Sequence, residues 1–317
     1  MGNTKNAGKT TVLNHIIDNY DKPLIITSIG LDGEEIDQVT FLEKPQVYVR
    51  SNDLIATAKA TLKKLEAKYQ ILTETNISTS IGNIVICKIL SKGKALIAGP
   101  SLVSDMEILI KDLKQISNKK IIIDGAFFRQ SFARISDASI LVFGANYSRD
   151  INKTVDNALL NYKKLTLPKA PIKYQVFKDK RNICILFKGK LIELDSSSII
   201  GKVELIISKY AKDAQAIFLP HSLTDELVEK LTNNPYKYKF DIVIQSGINI
   251  LLSNQLLKNL FRLENNIYVM ESIKIVCVCY NPTSPKGYSY DKLEFADKLR
   301  QKLHRRVIDV KEVDRYE

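Results

Sequence analysis

The chain alternates between short apolar runs and amphipathic stretches. Apolar runs rich in β-branched residues read as strands, and apolar positions recurring every three to four residues read as helices. In the first half the pattern predicts strands at 23–27, 46–49, 84–88, 95–98, 120–124 and 139–144. It predicts helices at 10–19, 53–74, 102–116 and 150–165. The runs 84–88 and 95–98, with Lys92-Gly93-Lys94 between them, read as a hairpin. Pro168 and Pro171 then punctuate the chain. Beyond them a second hairpin is predicted over 182–187 and 190–194, turning at Lys188-Gly189. Helices at 198–211, 222–232, 253–262 and 291–303 then alternate with strands at 215–219, 240–245, 273–279 and 306–310.

Strands alternating with helices argue for βαβ units and a parallel sheet. The expected fold is therefore α/β. A mainly parallel sheet over 1–168 is followed by a second, smaller α/β domain over 169–317, expected to serve partner docking. The 317 residues suffice for two such domains.

Composition adds limits. Hydrophobic residues are 45% and charged residues 26%, which suits a folded globular chain and excludes a disordered or collagen-like one. No apolar run reaches the roughly 18–20 residues that span a bilayer, and no basic-apolar leader precedes the first motif. The reading is a cytoplasmic protein with no membrane partner. Cys87, Cys184, Cys277 and Cys279 do not form a disulfide framework. Cys277 and Cys279 lie two apart in a predicted strand and share one face, which core packing explains without a metal. The net charge of +12 raises the question of nucleic acid. The excess is spread evenly over both halves, and no helix-turn-helix or zinc signature is present, so nucleic acid is not expected.

The strongest chemical signal is at the start. Gly2-Asn3-Thr4-Lys5-Asn6-Ala7-Gly8-Lys9-Thr10 matches G-x-x-x-x-G-K-[ST]. In this motif the glycines let the backbone curl so that its N–H groups face a phosphate. Lys9 reaches the β- and γ-phosphates, and the Thr10 hydroxyl ligates Mg²⁺. The helix that follows, from Thr11, adds its positive end. Gly2, Asn6, Ala7, Gly8, Lys9, Thr10 and Thr11 are thus the candidate nucleotide-binding set, and the mainly parallel sheet expected over 1–168 is read as P-loop NTPase-like. A P-loop should follow a strand, yet only Met1 precedes Gly2. The reading favours a start that omits this strand, against a rearranged sheet or a chance match.

Lys119-Lys120-Ile121-Ile122-Ile123-Asp124-Gly125 supplies the carboxylate partner. Three β-branched residues fit a buried strand, and Asp124 at its end is placed to hold Mg²⁺ with Thr10. Asp-Gly as a simple turn is the alternative. Asp32 or Glu34, after strand 23–27, could orient the attacking water or form a solvated acidic turn. The expected catalytic residues are Lys9, Asp32 and Asp124. Asn152-Lys153-Thr154-Val155-Asp156 is one residue too long for the guanine motif Asn-Lys-x-Asp, which favours ATP over GTP. The segment Asn281–Tyr290 holds two prolines and two tyrosines. It reads either as a docking loop or as a connection that caps helix 291–303 through Ser289 or Asp291.

Lys5–Thr11 resembles the loop of small P-loop proteins such as the molybdopterin-guanine dinucleotide accessory proteins. A longer set of segments resembles the small P-loop subunit of lysine 5,6-aminomutase reactivases. These are Ile26–Glu34, Ala56–Lys59, Ala98–Ser101, Ile123–Ala126 and Asn281–Ser289. The resemblance implies an ATPase that uses ATP and Mg²⁺ to expel damaged cobalamin from adenosylcobalamin-dependent lysine 5,6-aminomutase. It implies a MutS-like ATPase subunit as partner. It carries Gly8, Lys9, Thr10 and Asp124 over as site residues, and Asp32 beside them. None of His15, His221 and His304 has Gly three positions later, so direct cobalt ligation is not expected. A carboxylate-activating synthetase of the dethiobiotin-synthetase type and a non-catalytic NTP-binding scaffold are the rival readings.

Overall fold

The computed structural model describes residues 1–30, 46–125, 130–233 and 238–311. The chain divides into two compact units: Met1–Val155 with Val276–Glu317, and Asp156–Ile275. The sequence reading placed one change near 168. The units change over at 155/156 and again at 275/276, so the last segment belongs with the first.

The first unit begins with the loop 2–8 and helix α1 (Lys9–Asn19). There follow β1 (Ile25–Ser28), β2 (Val47–Val49), β3 (Leu54–Ala58), β4 (Tyr69–Thr79), β5 (Gly82–Ile89), β6 (Gly93–Ala95), α2 (Val103–Ile116), β7 (Ile121–Asp124) and β8 (Ser139–Gly144), and then α3 (Ile151–Leu165), which starts in the first unit and runs on into the second. Its main sheet has the order β4-β5-β3-β1-β7. β1 runs parallel to β3 and β7, while β5 is antiparallel to both β3 and β4. Successive side chains of a strand leave opposite faces. Ile26, Ile55 and Val85 therefore pack with Leu13 and Ile17 of α1. Ile25, Leu54, Ala56 and Ile86 pack on the other face with Met106, Leu109 and Leu113 of α2. A fully buried side chain of this size is worth about 1.5–3 kcal/mol.

This sheet corrects the expectation of a mainly parallel one: it is mixed. The segment 53–74, read as a helix, forms β3, a short 3₁₀ turn over Lys59–Lys64 and the start of β4. Leu54, Ala58, Leu62 and Leu65 imitate the spacing of a helix face, but all five residues of β3 are buried, as a central strand requires. The expected 84–98 hairpin is also different. β5 turns back onto β4, and β6 pairs with β2.

The second unit holds β9 (Cys184–Phe187), β10 (Lys190–Glu193), α4 (Val203–Lys209), β11 (Ala214–Leu219), α5 (Asp225–Thr232), β12 (Asp241–Ser246), α6 (Asn254–Leu260) and β13 (Ile267–Glu271). Its sheet has the order β10-β9-β11-β12-β13 and is also mixed. β9 and β10 form the expected hairpin, with Lys188 and Gly189 both at positive φ as its turn demands. Ile217, Ile242 and Ile244 face the helices, while Phe218 and Val243 face Tyr174 and Phe177.

The chain returns to the first unit through β14 (Ile275–Asn281), β15 (Thr283–Ser284), β16 (Tyr288–Ser289) and α7 (Lys292–Leu303). β14 pairs with β8. The expected strand 306–310 reduces to one parallel bridge between Cys279 and Ile308.

Candidate phosphate-binding loop

The loop 2–8 lies along the end of β8. The Val142 N–H donates to Met1 O (2.8 Å), and the Asn3 N–H donates to Val142 O (3.1 Å). Asn3 is buried, and its Oδ1 accepts from the Gly144 N–H (3.1 Å). Gly144 has to be glycine here. A Cβ on it would stand 2.8 Å from the Ala7 Cα, closer than atoms approach. Asn146 fixes the far side of the loop by donating its Nδ2 hydrogen to Lys5 O (3.0 Å).

The loop closes on α1 through left-handed backbone at Asn6 (φ 55°) and Gly8 (φ 104°). These are the residue types that tolerate such geometry. Ala7 is fully buried between them. Gly8 is the N-cap of α1, and no side chain caps the helix. The first N–H groups of a helix have no partner within the helix, and they lie at the positive end of its dipole. Lys9 and Thr10 are the first two helical residues, and Thr11 is half-buried on the same turn. The Lys9 ammonium folds back to donate to Thr4 O (3.2 Å).

Asp124 ends β7, and its Oδ2 accepts from Thr10 Oγ1 at 3.3 Å. Two groups 114 residues apart in sequence are brought together here. Burial pushes the Asp124 carboxyl above its ordinary range. The Lys9 and N-terminal charges and the Thr10 hydrogen bond oppose that shift. Asp32 and Glu34 lie outside the described residues.

The C-terminal ends of β1 and β3 add hydroxyls to the same sheet edge. Ser28 Oγ donates to Ile97 O (2.8 Å) and accepts from the Gly99 N–H (3.2 Å). Thr27 Oγ1 donates to Ala56 O (2.9 Å), and Thr57 Oγ1 accepts from the Ala98 N–H (2.9 Å). The Gly30 N–H donates to Pro100 O (2.8 Å). The segments around 26–30, 56–58, 98–100 and 123–125 therefore meet.

The segment 281–290 is tied to the residues after β8 as well. Ser284 Oγ donates to Asn146 Oδ1 (3.4 Å), and the Tyr288 hydroxyl donates to Ala145 O (2.7 Å). Tyr290 hydrogen-bonds Ser148 O and the Thr154 hydroxyl. Of the two caps considered for the last helix, Asp291 is the one used: its carboxylate accepts from the Glu294 N–H (2.8 Å). Asn281 lies against Gly8.

Sequence reasoning missed Asn3, Asn146 and Asn281. Asn146 and Asn281 do carry a signal. Each is polar and stands at the C-terminal end of an apolar strand run, where ligands meet α/β sheets.

Two cavities lie elsewhere. One, of about 400 Å³, is in the second unit beside Tyr174 and Asp241. The other, of about 430 Å³, is between β4 and α2. Among the described residues no group of three or more His, Cys, Asp or Glu side chains could hold a metal ion, and no helix is long and apolar enough to cross a membrane. No family model, curated protein or solved structure matches the chain.

Proposed function

We propose that the chain binds ATP with Mg²⁺ at the loop 2–11 and Asp124, and uses that nucleotide as the small subunit of a reactivation factor. The client is an adenosylcobalamin-dependent lysine 5,6-aminomutase, and the partner is a MutS-like ATPase subunit. The observation that carries the nucleotide reading is the Thr10–Asp124 contact at the open end of α1. A cradle without acidic residues in its first helical turn fits an anion. Mg²⁺ is usually held by one or two protein groups together with phosphate oxygens, so Thr10 and Asp124 are a sufficient protein share. Bound Mg²⁺ would supply charge neutralisation across the β- and γ-phosphates.

In this reading the backbone N–H groups of the loop and α1 hold the phosphates. Lys9 exchanges Thr4 O for a phosphate oxygen. Thr10 and Asp124 position the cation, whose charge favours the ionised form of Asp124. Expulsion of damaged cofactor then needs ATP and ADP states with different affinities for the mutase, since a ligand shifts an equilibrium only by such a difference. The meeting of four segments that carry the family resemblance around one sheet edge supports the assignment. Inactivated mutase is mixed with this chain and the MutS-like subunit, with and without ATP·Mg²⁺. Recovery of activity only with nucleotide is expected. Absence of recovery, while ATP binding is measured by calorimetry, overturns the reactivation role. Absence of ATP binding overturns the whole reading.

A further inference from the structure

β14 carries Cys277, Cys279 and Asn281 at alternate positions, so their side chains leave one face of the strand. The two sulfurs are 3.8 Å apart. Cys279 is buried and Cys277 partly exposed. The pair packs with Ala7 of the loop, Val12 and Ile16 of α1, and Val142 of β8. Two positions further on, the Asn281 Cβ is 3.4 Å from where a Cβ on Gly8 would sit. Core packing accounts for Cys279. Cys277 packs at the rim of the same cluster, partly exposed and with its sulfur turned to Cys279.

The two thiols are also unlike each other. The Cys279 hydrogen bond, with help from Arg306, draws Cys277 down to about 7. The same pairing and burial push Cys279 up. Cys87 and Cys184 give the contrast, because burial pushes each up to about 11. One member of the pair is therefore suited to attack and the other to resolve.

We propose that Cys277 and Cys279 form a reversible dithiol–disulfide site directly beneath the phosphate loop, oxidised by exchange with a small-molecule disulfide. The Cys277 thiolate attacks one sulfur of the disulfide, forms a mixed disulfide and expels one thiolate. That thiolate takes the Cys279 proton. Cys279 then attacks Cys277 Sγ, closes the internal S–S bond and expels the second thiolate, which takes a proton from water. The protein loses two electrons, and the small disulfide gains them as two thiols.

Residues two apart in a strand have Cα atoms about 6.4–6.8 Å apart. This is the upper end of the disulfide range, so closure bends β14 and leaves a bond that is easily reduced. The bend falls between Ala7 and Asn281 and disturbs the loop. That last consequence rests on the nucleotide reading, whereas the thiol chemistry does not.

The test treats the full chain with glutathione disulfide, quenches with acid, measures intact mass, then alkylates in denaturant so that buried thiols also react, and measures it again. Two of the four thiols are expected to resist alkylation, with a mass lower by two hydrogens before alkylation, and dithiothreitol should restore all four. Cys279→Ser should stop at a mixed disulfide on Cys277. Wild-type protein that keeps four reactive thiols, or that halts as a glutathione adduct, overturns the proposal. A fluorescent ATP analogue then reads the coupling, with affinity expected to fall about tenfold on oxidation. Equal affinity in both forms overturns the coupling. Failure of the reduced form to bind overturns the nucleotide reading and leaves the dithiol site standing.

Discussion

The two five-stranded sheets share one directional pattern. Each has an antiparallel hairpin at one edge, joined antiparallel to a row of three parallel strands. Their chain orders differ. The parallel row of the first sheet is β3-β1-β7, and that of the second is β11-β12-β13, in plain succession. Their helix N-termini differ more. In the second unit α4 carries Glu204 in its first turn, α5 carries Asp225 and Glu226, and Ser253 caps α6 by accepting from the Leu256 N–H. Each of those ends is supplied with a carboxylate or hydroxyl of its own. α1 has no carboxylate in its first turn and no side-chain cap, and places Lys9 and Thr10 there. The same sheet pattern thus carries a helix N-terminus free of acidic residues in one unit and acidic or side-chain-capped N-termini in the other. Architecture alone does not assign function.

The contrast can be broken at four points. The largest effect is expected from Lys9→Ala. ATP affinity measured by calorimetry should fall about 100-fold, the worth of a charge-assisted hydrogen bond. Lys164→Met, in the second unit, should leave that affinity unchanged. An equal loss in both variants would show that the first unit is not special. Next is Asp124→Asn. Affinity in Mg²⁺ should fall about tenfold, to the value that wild-type protein shows in EDTA. A variant that still responds to Mg²⁺ would remove Asp124 from the cation site.

Gly144→Ala forces a Cβ against the Ala7 backbone. Overpacking of this kind costs about 1–3 kcal/mol in urea unfolding. ATP affinity should drop with it, because the loop must shift. Unchanged stability and affinity would mean that β8 does not brace the loop.

The smallest effect concerns Lys164. Its ammonium is buried and donates to Ile250 O (3.4 Å). Burial lowers its pKa below the ordinary lysine value. The unfolded chain therefore binds more protons than the folded one between the lowered value and about 10.4. Wild-type stability should rise with pH across that window. Lys164→Met should be more stable at neutral pH by about 1 kcal/mol, with the advantage shrinking as pH climbs. An advantage that stays constant would sink burial of the charge as its cause.

Local patterns made much of this legible. α1, α2, α7, β7, β8 and the β9–β10 hairpin fall where periodicity and turn residues put them, and the spacing of the glycine motif named Lys9 and Thr10. The mixed character of the first sheet was hidden. Leu54, Ala58, Leu62 and Leu65 recur at helical intervals, and the buried neighbours Ile55, Ala56 and Thr57 betray a strand. β13 was missed because Ile267–Glu271 is short and follows a polar stretch. Asn3, Asn146 and Asn281 act through contacts more than a hundred residues apart in sequence, a range that periodicity cannot reach.

The return of residues 276–317 to the first unit has a consequence during synthesis. The loop 2–8 leaves the ribosome well before β14 and the tyrosines that brace the residues after β8. The intervening unit, one unbroken stretch from Asp156 to Ile275, is complete before then. Domains generally fold as units during synthesis. The second unit can therefore be folded while the loop 2–8 still waits for β14, so the unit that begins first in the chain would close last.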